Sequence, residues 1–220
     1  MDAYRQLPAG SHARSYGDRE TQQAYDFPLP LRYASADGTC FIEVFPTIEG
    51  TSDLLKPLNL KQAVRYLIHK CVEGGNPEGG IAEKLGQANR LSVFVQRFEP
   101  NVDCFNDEGK PPFNQQCLLD LSYMPVTDTE QVFGKKNTPN IDVALPVRFA
   151  DSSAQCVIDV IIDGPPVRAI WYDIWGSGVM VVAMCARFGR SGVSSATAGE
   201  SELAIRVMYN AAGTLLEAMT

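Results

Sequence analysis

Histidine and tryptophan are scarce in this sequence, with two of each among 220 residues, and the six cysteines include no Cys-x-x-Cys pair. Zinc sites usually take their cysteine and histidine ligands from close pairs, so we predict no metal site and no cofactor. His12 falls in a polar N-terminal stretch, and His69 lies off the apolar stripe of a predicted helix. A Ser-His-Asp or Cys-His catalytic site is therefore not expected.

The sequence also lacks an excess of basic residues, because 19 Lys and Arg stand against 26 Asp and Glu, a net charge of −7. Binding to nucleic-acid phosphates needs clustered Lys and Arg, so we predict no nucleic-acid partner. The longest apolar run, from Ile174 to Cys185, contains Gly176 and Gly178 and is too short to span a bilayer. No transmembrane segment is expected.

Two stretches of the chain resemble each other, and each contains a cysteine-led strand pattern, a helix pattern with a second cysteine, and a returning strand pattern. In the first copy these are Cys40-Phe-Ile-Glu-Val44, Cys71 and Leu91-Ser-Val-Phe-Val95. In the second copy they are Cys156-Val-Ile-Asp-Val160, Cys185 and Leu203-Ala-Ile-Arg-Val207. Each copy is therefore interpreted as a βαβ unit.

Two βαβ units in tandem most economically form a ferredoxin-like α/β sandwich. We predict an α+β fold with a mostly antiparallel sheet and both helices on one face. Copy one covers about residues 38–98 and copy two residues 153–210. Residues 81–88 are predicted to form a helical turn, and the second helix is predicted to run from about Val167 to Arg187 and to be followed by a loop.

The rest of the chain is assigned around these copies. Residues 1–27 are polar and lack an apolar period, so they are predicted to form a flexible arm. Residues 28–220 are predicted to form one domain, with an insertion at 99–152. This insertion adds strand patterns at Cys117–Tyr123 and at Ile141–Phe149, the latter at a sheet edge because it contains Pro146.

The even number and symmetric placement of the cysteines favour three disulfides in a secreted protein over buried free thiols. A helix that packs back along the preceding strand brings its end close to the start of that strand. This geometry predicts Cys40–Cys71 and Cys156–Cys185 bridges and leaves Cys104 to pair with Cys117, one of 15 connectivities that six cysteines allow. The N-terminus lacks the basic start and apolar core of a signal peptide, so a secreted form would be a mature chain.

The duplicated cysteine pattern, together with Trp171-Tyr-Asp-Ile-Trp175 at a helix start, resembles small secreted cysteine-containing proteins of filamentous fungi. These include effectors with a killer-toxin-like α/β sandwich and necrosis-inducing proteins. The resemblance implies a secreted, extracellular effector that binds an unknown host protein or cell-surface component without catalysis.

Glu43 and Asp159 occupy matching positions in the two copies, and the predicted fold places them on neighbouring strands of the open sheet face. Arg206 is expected on the same face, and Phe41 and Phe45 are expected to flank the charges. These five residues are candidates for a partner-binding surface. The interpretation that the pattern favours is the simpler one, in which the charged residues form structural ion pairs and the phenylalanines are covered as a second core.

Two other functional classes remain open. Paired carboxylates can perform general acid and base chemistry, so an extracellular hydrolase that uses Glu43 and Asp159 is the alternative to a binding protein. An edge strand and an apolar helix also allow a homodimer. We predict no catalytic residue for the effector class.

Overall fold

The computed structural model describes residues 2–21, 23–73, 79–97, 101–105, 110–150, 155–195 and 202–210, except for the side chains of Cys71, Val72 and Glu202. The chain divides into two compact units, Met1–Glu99 and Pro100–Thr220. Each unit has its own sheets and its own cluster of buried apolar side chains. This division replaces the single domain predicted over residues 28–220.

The described part of the first unit is built mainly from short strands. Its elements are α1 (Asp2–Gln6), β1 (Arg14–Asp18), β2 (Phe27–Leu29), β3 (Leu31–Ala34), β4 (Cys40–Pro46), β5 (Ser52–Leu55), α2 (Pro57–Leu67), a π-helix (Ile68–Val72), β6 (Gly79–Leu85) and β7 (Leu91–Arg97). Strand β1 pairs in parallel with β2 and antiparallel with β5. A second sheet is antiparallel, in the order β3-β4-β7-β6.

The described part of the second unit follows a similar plan. Its elements are β8 (Val102–Cys104), α3 (Asn114–Leu121), β9 (Gln131–Lys135), β10 (Val143–Leu145), β11 (Val147–Phe149), β12 (Cys156–Asp163), β13 (Val167–Ala169), α4 (Trp171–Met184), a 3-10 helix (Ala186–Phe188), β14 (Gly192–Ser195) and β15 (Glu202–Tyr209). Strand β9 pairs in parallel with β10 and antiparallel with β13. The larger sheet has the order β11-β12-β15-β14-β8.

The two units have equivalent topologies. Strands β2-β1-β5 correspond to β10-β9-β13, and β3-β4-β7-β6 corresponds to β11-β12-β15-β14, with the same parallel and antiparallel pairings. Helices α1 and α2 correspond in chain order to α3 and α4. The second unit adds β8 at the edge of β14. The repeat is therefore larger than the two βαβ units predicted.

The ferredoxin-like prediction is wrong, because the opening and returning strands of each copy are direct antiparallel neighbours. Strand β4 pairs with β7, and β12 pairs with β15. Between each helix and its returning strand lies a further strand, β6 or β14, which reverses the chain direction. The sequence analysis assigned these two segments to a helical turn and to a loop, and this error produced the wrong topology.

Other segments also differ from the sequence predictions. The strand predicted at Cys117–Tyr123 is helix α3, and the strand predicted at Ile141–Phe149 is divided at Pro146 into β10 and β11. The segment Val167–Ala169 forms β13 rather than the first turn of a long helix, because it pairs with β9. Strand β11 does lie at a sheet edge, as the proline in that segment indicated.

The predicted N-terminal arm is part of the first unit. Ala3, Leu7 and Tyr16 are buried in its core, and the Tyr16 ring stacks on Phe27 with ring centroids 4.8 Å apart. Apolar residues in this segment are too widely spaced to give a periodic pattern. They nevertheless fill space between the sheets and helices of the unit, so the prediction of a flexible arm over residues 1–27 is wrong.

Helix α4 is buried on most of its surface, as its apolar sequence indicates. Gly178 lies close to two neighbouring elements, since an added Cβ would lie 2.7 Å from Ile205 Cδ1 and 2.8 Å from Leu121 Cδ2. Helix α2 is instead amphipathic and buries Leu60, Val64 and Leu67 along one face. Its opposite face is exposed.

Asp53 anchors the loop that leads into β7. Its carboxylate accepts backbone N–H bonds from Leu54 at 2.7 Å, Ala88 at 2.9 and 3.0 Å, and Arg90 at 3.0 Å. Burial alone would raise the pKa of Asp53, but these hydrogen bonds outweigh it and hold the pKa below its ordinary value. The ionised carboxylate therefore stabilises the folded first unit.

We expect Asp53→Asn to lower the free energy of unfolding of the first unit by about 1–3 kcal/mol at neutral pH, because buried N–H donors lose a charged acceptor. Since the pKa is lower in the folded state, the stabilisation is present above the unfolded pKa of about 3.9 and disappears as the pH falls through the folded value. Urea unfolding between pH 2 and 7 measures this. A difference between wild type and variant that persists unchanged at pH 2 would contradict it.

Candidate functional site

Glu43 lies in the middle of β4 and is completely buried. Arg32 lies directly opposite on β3, its Nε donates to Glu43 Oε2 at 2.5 Å, and its side chain is only 8% exposed. A second guanidinium, that of Arg19, donates to the carbonyls of Leu29 and Pro30. Burial lowers the pKa of Arg19 to about 10, although nearby carboxylates including Glu43 oppose that shift. Glu43 is thus a buried carboxylate held by arginine.

An aromatic cluster lies on the same face of the β4 sheet. The Phe94 ring lies 5.5 Å from that of Phe41 and 5.4 Å from that of Phe45, and the Arg32 guanidinium lies 4.3 Å from the centroid of Phe41. Phe41 is buried, whereas Phe45 and Phe94 are half-buried. Ile81, opposite Phe94 on β6, is 52% exposed. We call the accessible part, Phe45, Phe94 and Ile81, the aromatic face.

Asp159 occupies the matching position on β12 in the second unit. Arg148 lies opposite on β11 and donates from Nε and a terminal nitrogen to the two carboxylate oxygens at 2.7 and 2.8 Å. Accepting these bonds, Asp159 raises the pKa of Arg148 above its usual value. The Arg148 side chain is 38% exposed and that of Asp159 is 12% exposed. This ion pair is therefore more accessible to water than the Arg32–Glu43 pair. Arg206 lies across from Asp159 on the other side, on β15, and is exposed.

Glu43 and Asp159 lie in different sheets, whereas the sequence predicted them on neighbouring strands of one sheet. Strand β4 lies in the first unit and β12 in the second, and each carboxylate is bound by an arginine from its own neighbouring strand. The prediction that both carboxylates lie on neighbouring strands of one open sheet face is therefore wrong.

Arg32 and Arg148 are absent from the residues that the sequence analysis selected. A signal for them exists, because Leu29-Pro-Leu-Arg-Tyr-Ala34 and Leu145-Pro-Val-Arg-Phe-Ala150 are closely similar. Each arginine precedes its carboxylate partner by 11 residues. Extending the repeat toward the N-terminus of each copy would have predicted both ion pairs.

The second unit contains two disulfides, Cys104–Cys185 and Cys117–Cys156, with Cα atoms 5.4 and 5.3 Å apart. The predicted Cys104–Cys117 and Cys156–Cys185 pairings are therefore wrong. Strand β12 is separated from β8 by β15 and β14, and the end of α4 lies at the β8 side of the sheet. The start of β12 lies instead against α3, which supplies Cys117.

The first unit differs from the second at the matching cysteines. Cys40 is a half-buried free thiol, and burial raises its pKa. The predicted Cys40–Cys71 bridge is therefore not formed. The side chain of Cys71 lies outside the described residues.

A groove with a volume of about 680 Å³ lies on the first unit, where α1 meets the C-terminal part of α2 and the π-helix. Its walls include Tyr4, Arg65, Tyr66 and His69. Tyr66 is 61% exposed. This groove is not among the sites predicted from the sequence, because helical periodicity reveals which face of α2 is buried and says nothing about the function of the opposite face.

Within the described ranges, no three His, Cys, Asp or Glu side chains are grouped closely enough to hold a metal ion. None of the helices in the described part of the chain has the length and apolar character of a membrane-spanning helix. No protein-family model, curated protein or solved structure matches the chain. Its function is therefore inferred from its own residues and their geometry.

Proposed function

We propose that this chain is a secreted, disulfide-stabilised effector-like protein that acts outside the cell by binding a host or microbial partner. The observation that carries the proposal is the pair of disulfides in the second unit, Cys104–Cys185 and Cys117–Cys156. Stable structural disulfides are typical of secreted proteins and rare in the reducing cytosol.

Binding is favoured over catalysis by the state of the two candidate carboxylates. Glu43 and Asp159 are each engaged by an arginine on a neighbouring strand. Such pairs hold a carboxylate in one orientation against its arginine, which suits a structural role better than proton transfer. Two accessible aromatic side chains on the first unit, the half-buried Phe94 on the aromatic face and the exposed Tyr66 in the groove, are the kind of residue that interfaces use as anchors.

The effector role comes from the resemblance of the cysteine-led strands at Cys40 and Cys156 to small secreted fungal proteins, and it is the part of the proposal that the two disulfides do not carry. The resemblance implies a target on a plant or microbial neighbour, either a protein or a component of the cell surface. The homodimer suggested by the sequence stays a separate prediction.

The proposal is tested on full-length protein secreted from a eukaryotic host. Alkylation before and after reduction should label Cys40 first and release the Cys104, Cys117, Cys156 and Cys185 thiols only on reduction, as shown by peptide mapping. The unreduced protein should also bind saturably to plant or fungal cells and to their isolated walls, without releasing soluble sugar. Fully reactive thiols or absence of cell binding would overturn the proposal, and sugar release would identify a hydrolase.

A further inference from the structure

We propose that the groove on the first unit binds an oligosaccharide chain. The inference rests on the proposed binding function and names the ligand class and the residues that would hold it. At about 680 Å³, the groove lies within the size range of small-molecule sites. It is open at the surface, as a site for a segment of a longer polymer must be.

Two tyrosine rings supply the aromatic part of the groove. Tyr4 comes from α1 and is half-buried, whereas Tyr66 comes from α2 and is 61% exposed. Lys61 lies 5.8 Å from the centroid of Tyr4. The C–H faces of sugar rings pack on aromatic rings, and tyrosine offers this contact with little loss of side-chain freedom and a polar hydroxyl at its tip.

The polar groups of the groove include both donors and acceptors. Gln62 and Arg65 are exposed on α2, and His69 Nδ1 lies 3.1 Å from Glu73 Oε2. Sugar hydroxyls donate and accept at once, so amide, guanidinium, imidazole and carboxylate groups together match them. A site for phosphate or an acidic peptide would require a more uniformly basic lining.

The backbone beneath this wall is irregular. Residues Ile68–Val72 form a π-helix, in which the Glu73 N–H donates to the Ile68 carbonyl at 2.9 Å. Short π-helical turns are less favourable than α-helix and occur frequently at functional sites. Here the turn carries Ile68 and His69 and leads into Glu73, and all three line the groove.

The duplicated topology offers an internal comparison. Helix α4, which corresponds to α2, is buried along most of its length, with Trp171, Trp175 and Val179 in the core of the second unit. Helix α2 instead keeps Gln62, Arg65 and Tyr66 accessible next to the short helix α1. The open face of α2 therefore distinguishes the first unit from the second, as expected for a unit that carries the ligand site.

Tyr66→Ala tests the site, because this exposed side chain is removed with little effect on the core. Tyr123→Ala is the matched control, since Tyr123 is 63% exposed at the end of a helix in the second unit. Titration calorimetry with hexamers of N-acetylglucosamine, β-1,3-glucose and galacturonic acid should show binding of at least one to wild type. Tyr66→Ala should weaken it about tenfold, a loss of ~1.4 kcal/mol, and Tyr123→Ala less than twofold.

Two outcomes overturn the inference while the proposed function stands. In one, wild type binds cells but none of the three hexamers. In the other, Tyr66→Ala binds a hexamer as tightly as wild type does. If wild type fails to bind cells or walls at all, the proposed function itself fails.

Discussion

Replacing Cys104 and Cys185 together by alanine is expected to lower the free energy of unfolding of the second unit by about 4–5 kcal/mol. The bridge closes a loop with a sequence separation of 81 residues, and removing it restores the corresponding chain entropy to the unfolded state. The Cys117–Cys156 bridge closes a shorter loop, with a separation of 39. Its removal is expected to cost about 4 kcal/mol.

The effect is measured by urea unfolding and by hydrogen exchange of peptides from β12, β15 and α4, which report on the second unit alone. Cys40→Ala is the control, because Cys40 is a free thiol in the first unit, and it should change stability by less than ~1.5 kcal/mol. In a strong reductant, the second unit of the wild-type protein should lose as much stability as the two double-alanine variants lose together. Unchanged exchange in the second unit after loss of either bridge would contradict the assigned connectivity.

The sequence predicts the local elements of the repeat better than their arrangement. Alternation over Cys40–Phe45 and the strand pattern over Cys156–Ile162 identify both opening strands, β4 and β12, and apolar spacing identifies α2 and most of α4. The topology depends on β6 and β14, which the sequence analysis missed. Strand β6 contains Gly79, Gly80 and an irregular register near its end, so it lacks a clear alternating pattern.

The predicted disulfides of the second unit are wrong for a related reason. The prediction assumed that the helix end and the strand start of one copy are neighbours, which holds only if no strand intervenes between the helix and the returning strand. Strand β14 places the end of α4 beside β8 instead. The missed strand thus accounts for the error in topology and for the error in disulfides.

The candidate residues were partly predictable. Matching positions in the repeat pointed to Glu43 and Asp159, but the ion pairs that these carboxylates form depend on partners from the strand that precedes each copy. That strand carries Arg32 or Arg148. The groove could not be found from periodicity, because its residues come from α1 and α2 and become neighbours only when α1 packs in the first unit.

The duplicated ion pairs allow the effect of burial to be measured within one protein. Glu43→Gln is expected to destabilise the first unit by about 3–5 kcal/mol, because it removes the carboxylate that binds the buried Arg32 guanidinium. Asp159→Asn, at the matching position, should cost only about 1 kcal/mol. Its partner Arg148 is 38% exposed and recovers water as a hydrogen-bond acceptor.

Urea unfolding combined with hydrogen exchange on β4 and β12 assigns each loss to its own unit. A double variant, Glu43→Gln with Arg32→Met, should recover most of the loss of Glu43→Gln alone, since it removes the buried positive charge and leaves an apolar side chain beside Phe41. Equal losses for Glu43→Gln and Asp159→Asn, or no recovery in the double variant, would mean that burial of the arginine charge is not the cause. A larger loss for Glu43→Gln than for Asp159→Asn would also show that the Arg32–Glu43 pair is part of a core, whereas the corresponding Arg148–Asp159 pair lies closer to the surface.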